Sequence, residues 1–504
     1  RWDEGKWGWH APSDDMPAGV IECYDLVYDS PAFDKLSQER GYDVRKRFEN
    51  DFLRDTFAAV SAHPNHVNNY VAYLSVAAHI GRVMGEPRFV HWAFHWMKQN
   101  VYAGCFYDGM WHESPSYHYM TTSGLRSCFE SVRGYSDPPG YVDPTDGTRL
   151  ENLDPDKDVA FWAKVRHAPE ALDFPNGCST PVHDTWGGTR ASKPRDQTVS
   201  TILPGFGHAS LGRGAGPNQM QAQLHFSGGY GHHHLDNLHL TLFAKGREML
   251  SDIGYTWTSI RWWTTSTFSH NTVTVDGKDQ AGKSSDGDLL WFFPDSHGVA
   301  VVEADGQRGY GHIEKLDTYR RLLVMIPVSD ADAYVVDLFR TRGGSVHDWL
   351  LHGDADEDMS AACSLPLSQK LARMDAKGVK AYELMRDVQS AQAAEGLNVT
   401  FTYVANPDKG VRVHLVGGGQ TQVFLGRSPS VRRTGIGGRG DNRKVLDFWM
   451  PQLVVRRTGP APFQSAFAAV HEPFDGKPFI ESVTALPLAP PDPSAVALRV
   501  KHSD

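Results

Sequence analysis

Apolar and polar positions follow two different rhythms along the chain, and the change falls near residue 190. Before it, apolar residues recur at intervals of three and four. Val67, Tyr70, Val71, Leu74, Ala77, Ala78 and Gly81 share one face of a predicted helix. The stretches Phe89 to Val101 and Leu125 to Val132 repeat that spacing. Asp154-Pro155, followed by Asp156, Val159, Phe161, Trp162 and Val165, predicts a helix with proline in its first turn. Amphipathic helices in series, joined by loops rich in Pro, Gly and aromatics, predict a helical layer or toroid.

After about residue 195 the period becomes two. Met220, Ala222, Leu224 and Phe226 alternate with Gln219, Gln221, Gln223 and His225, and Leu238, Leu240 and Leu242 alternate with His239 and Thr241. Val273 and Val275 alternate with Thr272 and Thr274. These are half-buried antiparallel strands, and turn signals such as Asp276-Gly277 and Gly417-Gly418-Gly419 recur beyond them. The fold class expected is α+β and multidomain: a helical domain over 1–192, an antiparallel β-sandwich over 193–410 and a C-terminal β region over 411–504. The segment Pro487 to Pro493 is expected as an extended surface stretch.

Composition narrows the picture. A chain of 504 residues, 22% charged and 11% aromatic, is long enough for several cores and unlike a disordered chain. A net charge of -10 argues against a general nucleic-acid binder, although a local cleft can still be basic. No apolar run reaches the ~18 residues of a membrane span. Five widely spaced cysteines without a CxxC pair indicate neither a disulfide scaffold nor a cysteine zinc site. The start at Arg1, without Met or a leader, is expected of a processed or trimmed product. The 24 histidines direct attention to metal ligation and proton transfer.

Three clusters carry the chemistry. Gly231-His232-His233-His234-Leu235-Asp236-Asn237 is expected to open a strand, with His232, His234 and Asp236 on one side and His233 on the other. Asp252 stands 18 residues after His234, and His270 18 residues further on. Two imidazoles and a carboxylate suit zinc, yet spacing alone also fits hydrogen-bonded histidines in a sheet. Pro64-Asn65-His66 precedes a helix, where Asn65 is either a cap or a cleft-facing amide. Trp111 to Tyr119 offers aromatics for sugar stacking and a tyrosine proton donor, or a buried aromatic segment. Arg261-Trp262-Trp263 fits either a sugar subsite or a packed edge.

Together these residues resemble the heparinase II/III family of polysaccharide lyases. The resemblance rests on GHHHLDNLHL, Lys245-Gly246, Ser251-Asp252-Ile253-Gly254, Arg261-Trp262-Trp263 and Ser269-His270-Asn271-Thr272-Val273, with the upstream Asn-His pair and Glu-Ser-Pro-x-Tyr-x-Tyr in the same order, over roughly residues 15–290. It implies an incomplete (α/α) toroid followed by antiparallel β domains. Only 64 residues precede Asn65, so the toroid's first helices are expected to be absent from this chain.

The resemblance further implies β-elimination on a uronic-acid polymer such as alginate, glucuronan or a glycosaminoglycan. Asn65 and His66 would hold the substrate carboxylate, and His232 and Tyr119 would divide the base and acid roles. His234, Asp252 and His270 would bind a structural zinc beside His232. Glu113, Tyr117, Arg261, Trp262 and Trp263 would face the substrate. An anionic polysaccharide partner implies a secreted or periplasmic protein, with no nucleic acid and no membrane span.

Three other readings stay open. A uronyl C5-epimerase needs the same proton abstraction. A silent carbohydrate-binding protein needs only the cleft. A glycoside hydrolase needs two carboxylates about 5–9 Å apart, for which Glu113 is the acidic residue at hand. Arg439-Gly440-Asp441, Asn398-Val399-Thr400 and Gly417 to Gly419 are explained by turn chemistry or chance matches.

Overall fold

The computed structural model describes residues 18–503, except 63, 67–69, 189–192, 197, 229, 314–315, 375–378, 418–420 and 436–441. Arg439-Gly440-Asp441, Gly418-Gly419 and Val67 therefore lie outside the described residues. The chain divides into two compact units, one holding 1–112 and 117–168, the other 113–116 and 169–504.

The first unit is helical. Its main helices run Ala18–Val27, Pro31–Arg40, Val71–Val83, Pro87–Tyr102 and Pro115–Val132. Proline opens three of them, where its missing N–H costs nothing. Val71–Val83 buries Val71, Leu74, Ala77, Ala78 and Gly81, the stripe expected from the sequence. Leu74, Val90, Met97, Leu125, Phe129 and Trp162 share one core. The helix expected over 155–165 is broken into Pro155–Asp158 and Trp162–His167. Asp158 turns its carboxylate back to the Asp154 N–H at 2.8 Å, closing the first piece on itself. Among the described residues no helix is long and apolar enough to cross a membrane.

The second unit is mostly antiparallel β. Strands β1 (Thr201–Leu203), β2 (His208–Arg213), β3 (Met220–His225), β4 (His239–Ala244) and β5 (Arg247–Leu250) form a five-stranded meander. Next come β6 (Val273–Val275), β7 (Asp288–Ser296), β8 (Val299–Asp305), β9 (Thr318–Pro327), β10 (Ala333–Arg342), β11 (Val346–His352) and β12 (Met359–Cys363). The series ends with β13 (Arg386–Ala393), β14 (Leu397–Tyr403), β15 (Lys409–Leu415), β16 (Thr421–Pro429), β17 (Trp449–Thr458), β18 (Gln464–Asp475), β19 (Ile480–Leu486) and β20 (Ala497–His502).

An eight-stranded sheet has the order β12-β14-β15-β18-β10-β9-β8-β7, and a second five-stranded sheet the order β13-β16-β17-β11-β6. Leu240, Val302, Phe339, Val413, Val423 and Leu453 draw all three sheets into one core, the packing of a β-sandwich. Strands β16 to β18, from the span expected as a separate C-terminal region, pair inside these sheets; β19 and β20 form a two-stranded sheet of their own.

Candidate active site and metal centre

The histidine-rich segment is not a strand. It forms the loop between β3 and β4, and strand geometry starts only at His239. His232 and Leu238 have φ of +57° and +64°, in the left-handed region that side chains avoid at a cost of about 1–3 kcal/mol. The alternation expected along an extended chain is therefore lost, and His234 and Asp236 enter different clusters. Each left-handed residue is tied down. The His232 carbonyl accepts the Asp184 N–H at 3.1 Å, and the Leu238 carbonyl accepts from Arg321 Nη1 at 2.7 Å. Arg321 is itself fully buried against Asp337.

The centre of the site is Asp184, which the sequence reading did not nominate. Its carboxylate is almost fully buried and receives three side chains. His232 Nδ1 lies 3.0 Å from Oδ2, His234 Nε2 lies 3.1 Å from Oδ1, and Arg261 Nη2 donates to both oxygens at 2.8 and 2.7 Å. Burial alone would raise this carboxyl. The hydrogen bonds from His232 and His234 and the charge of Arg261 outweigh burial and hold it below the usual carboxylate range. An ionised carboxylate only accepts, so both imidazoles must donate to it. His232 is thereby fixed with its proton on Nδ1 and its lone pair on Nε2, while its side chain keeps 31% of its exposure. Glu113 Oε1 lies 3.7 Å from that Nε2. Gly231 permits this approach, because a Cβ there would sit 2.9 Å from Glu113 Oε1.

The same bookkeeping defines the metal centre. His234 donates through Nε2, so its Nδ1 carries a lone pair. His270 donates through Nδ1 to the Ser266 carbonyl at 2.7 Å, so its lone pair is on Nε2. These two lone-pair nitrogens face each other at 3.3 Å, and Asp252 Oδ1 lies 3.6 Å from His270 Nε2. Asp252 Oδ2 is buried without a hydrogen-bond partner. Two imidazole nitrogens and a carboxylate, all buried and with His239 Nε2 3.4 Å from the second carboxylate oxygen, are a donor set that fits a zinc-type cation. Asp252 is placed by the Gly254 N–H at 2.8 Å, and Gly254, at φ +65°, lies against the Thr185 carbonyl with no room for a Cβ.

The other expected residues fall in different surroundings. Trp263 is fully buried among Ile253, Phe268, Leu350 and Tyr382, so it packs a core and offers a sugar no surface. Trp262, next to it on the short helix Arg261–Thr264, is 38% exposed with Lys380 Nζ 4.3 Å above its ring. Arg261 donates to Asp184 through Nη2 alone, and its side chain stays about a third exposed.

In the helical unit, Asn65 is exposed and precedes the helix described from Val71. His66 packs 5.6 Å from the Trp96 ring, and burial and the neighbouring His112 lower its pKa. Tyr117 and Tyr119 are both half-buried on the helix Pro115–Val132, where a two-residue step turns them to different sides. His118 between them is fully buried and accepts the Trp111 N–H at 3.0 Å.

Residues 220–413 match the family model described as heparinase II/III-like, C-terminal. Over these residues the chain is similar to that family. Solved structures extend the likeness to both units. The heparan sulfate lyase HepC from Pedobacter heparinus superposes with a TM-score of 0.64 at 14% identity, over 96% of this chain and 72% of that one. A heparinase III structure gives 0.60 at 14% identity over the same shares. A heparinase III gene product with methylated lysines gives 0.60 at 13%, over 93% and 68%. At these identities the likeness is one of fold: helical toroid, then β-sandwich. No curated protein matches the chain in sequence.

In the heparinase II/III-like part, the Ser-His-Asn-Thr-Val run holds the site together. Asn271 Nδ2 donates to the Leu240 and Ser251 carbonyls at 3.0 Å, and its Oδ1 accepts the His352 N–H at 2.8 Å. One side chain thus ties β4, the Asp252 segment and the end of β11. Asp184 escaped the sequence reading because Pro181-Val182-His183-Asp184-Thr185 has neither periodicity nor ligand spacing. Its only signal is a His-Asp pair in a stretch that forms no regular element.

Proposed function

We propose that the protein is a polysaccharide lyase that cleaves a uronic-acid-containing polysaccharide, of alginate, glucuronan or glycosaminoglycan type, by β-elimination. The observation that carries this reading is the Asp184–His232 pair. A buried, ionised carboxylate fixes the imidazole with Nε2 as its basic nitrogen, next to a second carboxylate on Glu113.

In the proposed reaction His232 Nε2 takes the C5 proton, the electrons form the C4=C5 double bond, and the C4–O4 bond breaks. Asp184 and Glu113 stabilise the imidazolium that results. Asn65 and His66 neutralise the substrate carboxylate, which makes the C5 proton removable, since an amide donates without titrating. Tyr119 delivers the proton to departing O4, and Tyr117 and Trp262 contact flanking sugars. Zinc bound by His234, Asp252 and His270 would supply rigidity: His234 shares Asp184 with His232, so fixing one imidazole fixes the other. A polymeric substrate places the protein outside the cytoplasm, secreted or periplasmic.

The test is an ultraviolet assay for conjugated uronate on alginate, hyaluronan, chondroitin, heparan sulfate, glucuronan and ulvan. A rise in absorbance on one of these polymers is expected. Flat traces on all six, with metal bound, would contradict the reading.

A further inference from the structure

A second buried group lies across the β3–β4 loop from the first, and the β-elimination reading does not use it. His183, His225 and Asp236 are each at most 2% exposed, and one ligand atom from each lies within 4.8 Å of the others. His225 Nε2 is 3.0 Å from His183 Nε2, and Asp236 Oδ2 is 3.3 Å from His183 Nδ1. On its far side His225 Nδ1 meets His208 Nδ1 at 3.3 Å.

The hydrogen bonds of this group leave its carboxylate out. The amide N–H of His234 approaches His183 Nδ1 at 3.1 Å, and His183 Nε2, which faces His225, also lies 3.3 Å from Ser227 Oγ. Both Asp236 oxygens are buried without a hydrogen-bond partner, and so is His208 Nε2. A carboxylate removed from water with no donor needs a counter-charge. The groups that face it are imidazoles, and an ion bound there would take the place of the proton between His183 Nε2 and His225 Nε2.

We propose that His183, His225 and Asp236 form a second metal site, of the two-imidazole, one-carboxylate type that takes zinc. Its placement gives it a structural task. His225 ends β3 and Asp236 lies just before β4, so the ion closes the base of the loop that carries His232 and His234. His183 joins that base to Asp184, the next residue in the chain. The loop with left-handed His232 is then clamped by two ions, one at His234 and one at its base.

Zinc stoichiometry tests this, with no activity readout needed. The full chain is stripped with a chelator, titrated with zinc alone against a competing chromophoric chelator, and analysed for bound metal. Two tight equivalents per chain are expected. His225→Gln and Asp236→Asn should each leave one, His270→Gln should leave one, and His225→Gln with His270→Gln none. Cobalt substitution in each single variant reports the remaining ligand set by its visible bands. The proposal is overturned if the wild-type chain takes a single equivalent that His270→Gln abolishes. It is equally overturned if His225→Gln and Asp236→Asn keep the wild-type count, because Asp236 is then satisfied by protons alone. The wild-type count decides the matter even where a variant does not fold.

Discussion

Two buried histidines show how differently the two units use the same side chain. His118, in the helical unit, sits in an apolar core and accepts one backbone N–H. Burial pushes it down to about 3, and it is a neutral packing residue. His234, in the β unit, is equally buried but lies between Asp184, His270 and Asp252. There every proton is assigned by a neighbour. The lesson is that burial does not identify a functional histidine. The number of acceptors around it, set against the protons available, does.

The largest expected effect comes from breaking that proton assignment. Asp184→Asn can offer His232 and His234 only one carboxamide oxygen and a competing NH2. Turnover on the cleaved polymer should fall about 10²–10⁴-fold, the usual worth of a general base. Zinc affinity should weaken about 10–100-fold, since Asp184 supports a ligand from behind. Steady-state rates and a chelator competition on one preparation measure both. A loss of metal with unchanged rate would separate the two roles and weaken the comparison.

Next comes the tryptophan pair. Trp263→Ala should cost about 3–5 kcal/mol in chemical denaturation, as large core truncations do. Trp262→Ala, at the exposed neighbour, should change stability by no more than about 0.5 kcal/mol. Its effect should appear in KM instead.

A smaller effect sharpens the His118 side of the comparison. An imidazole lowered in the folded state is neutral there but protonates near ~6.5 once unfolded. Its contribution is fully present above ~6.5 and is lost as pH falls towards 3, by at most about 1.4 kcal/mol per pH unit. Thermal melts of the helical unit's signal between pH 7 and pH 5 should show this slope, and His118→Asn should flatten it. His352, buried and lowered to about 4, adds a slope of the same sign in the β unit.

The period switch near residue 190 was legible because it depends on local burial. Helical spacing around Leu74 appears as read, and β4 forms around Leu240, although its polar side, His239 and Thr241, is buried too and the strand is not half-exposed as expected. The break after Asp158 was not legible, since Val159 leaves helical geometry at φ -120° inside an otherwise helical spacing. Nor was the loop geometry of His232 to Asp236. An alternating string of polar residues reads as a strand unless one knows that Asp184, 48 positions earlier, holds His232 in a left-handed turn. Trp262 and Trp263 are indistinguishable by composition, and only the short helix Arg261–Thr264 separates core from surface. The His234, Asp252 and His270 set is legible as residue types at a spacing, which the motif resemblance then favours as ligands. Its buried, lone-pair-facing geometry depends on partners such as the Ser266 carbonyl that carry no sequence signature.

The central claim is that His232, oriented by Asp184, removes the proton that starts β-elimination. The most direct measurement is the rate of unsaturated uronate formation by His232→Ala on the polymer the wild-type protein cleaves, at matched zinc content. The account predicts a loss of at least about 10²-fold with metal retained. A variant that kept wild-type turnover would contradict it.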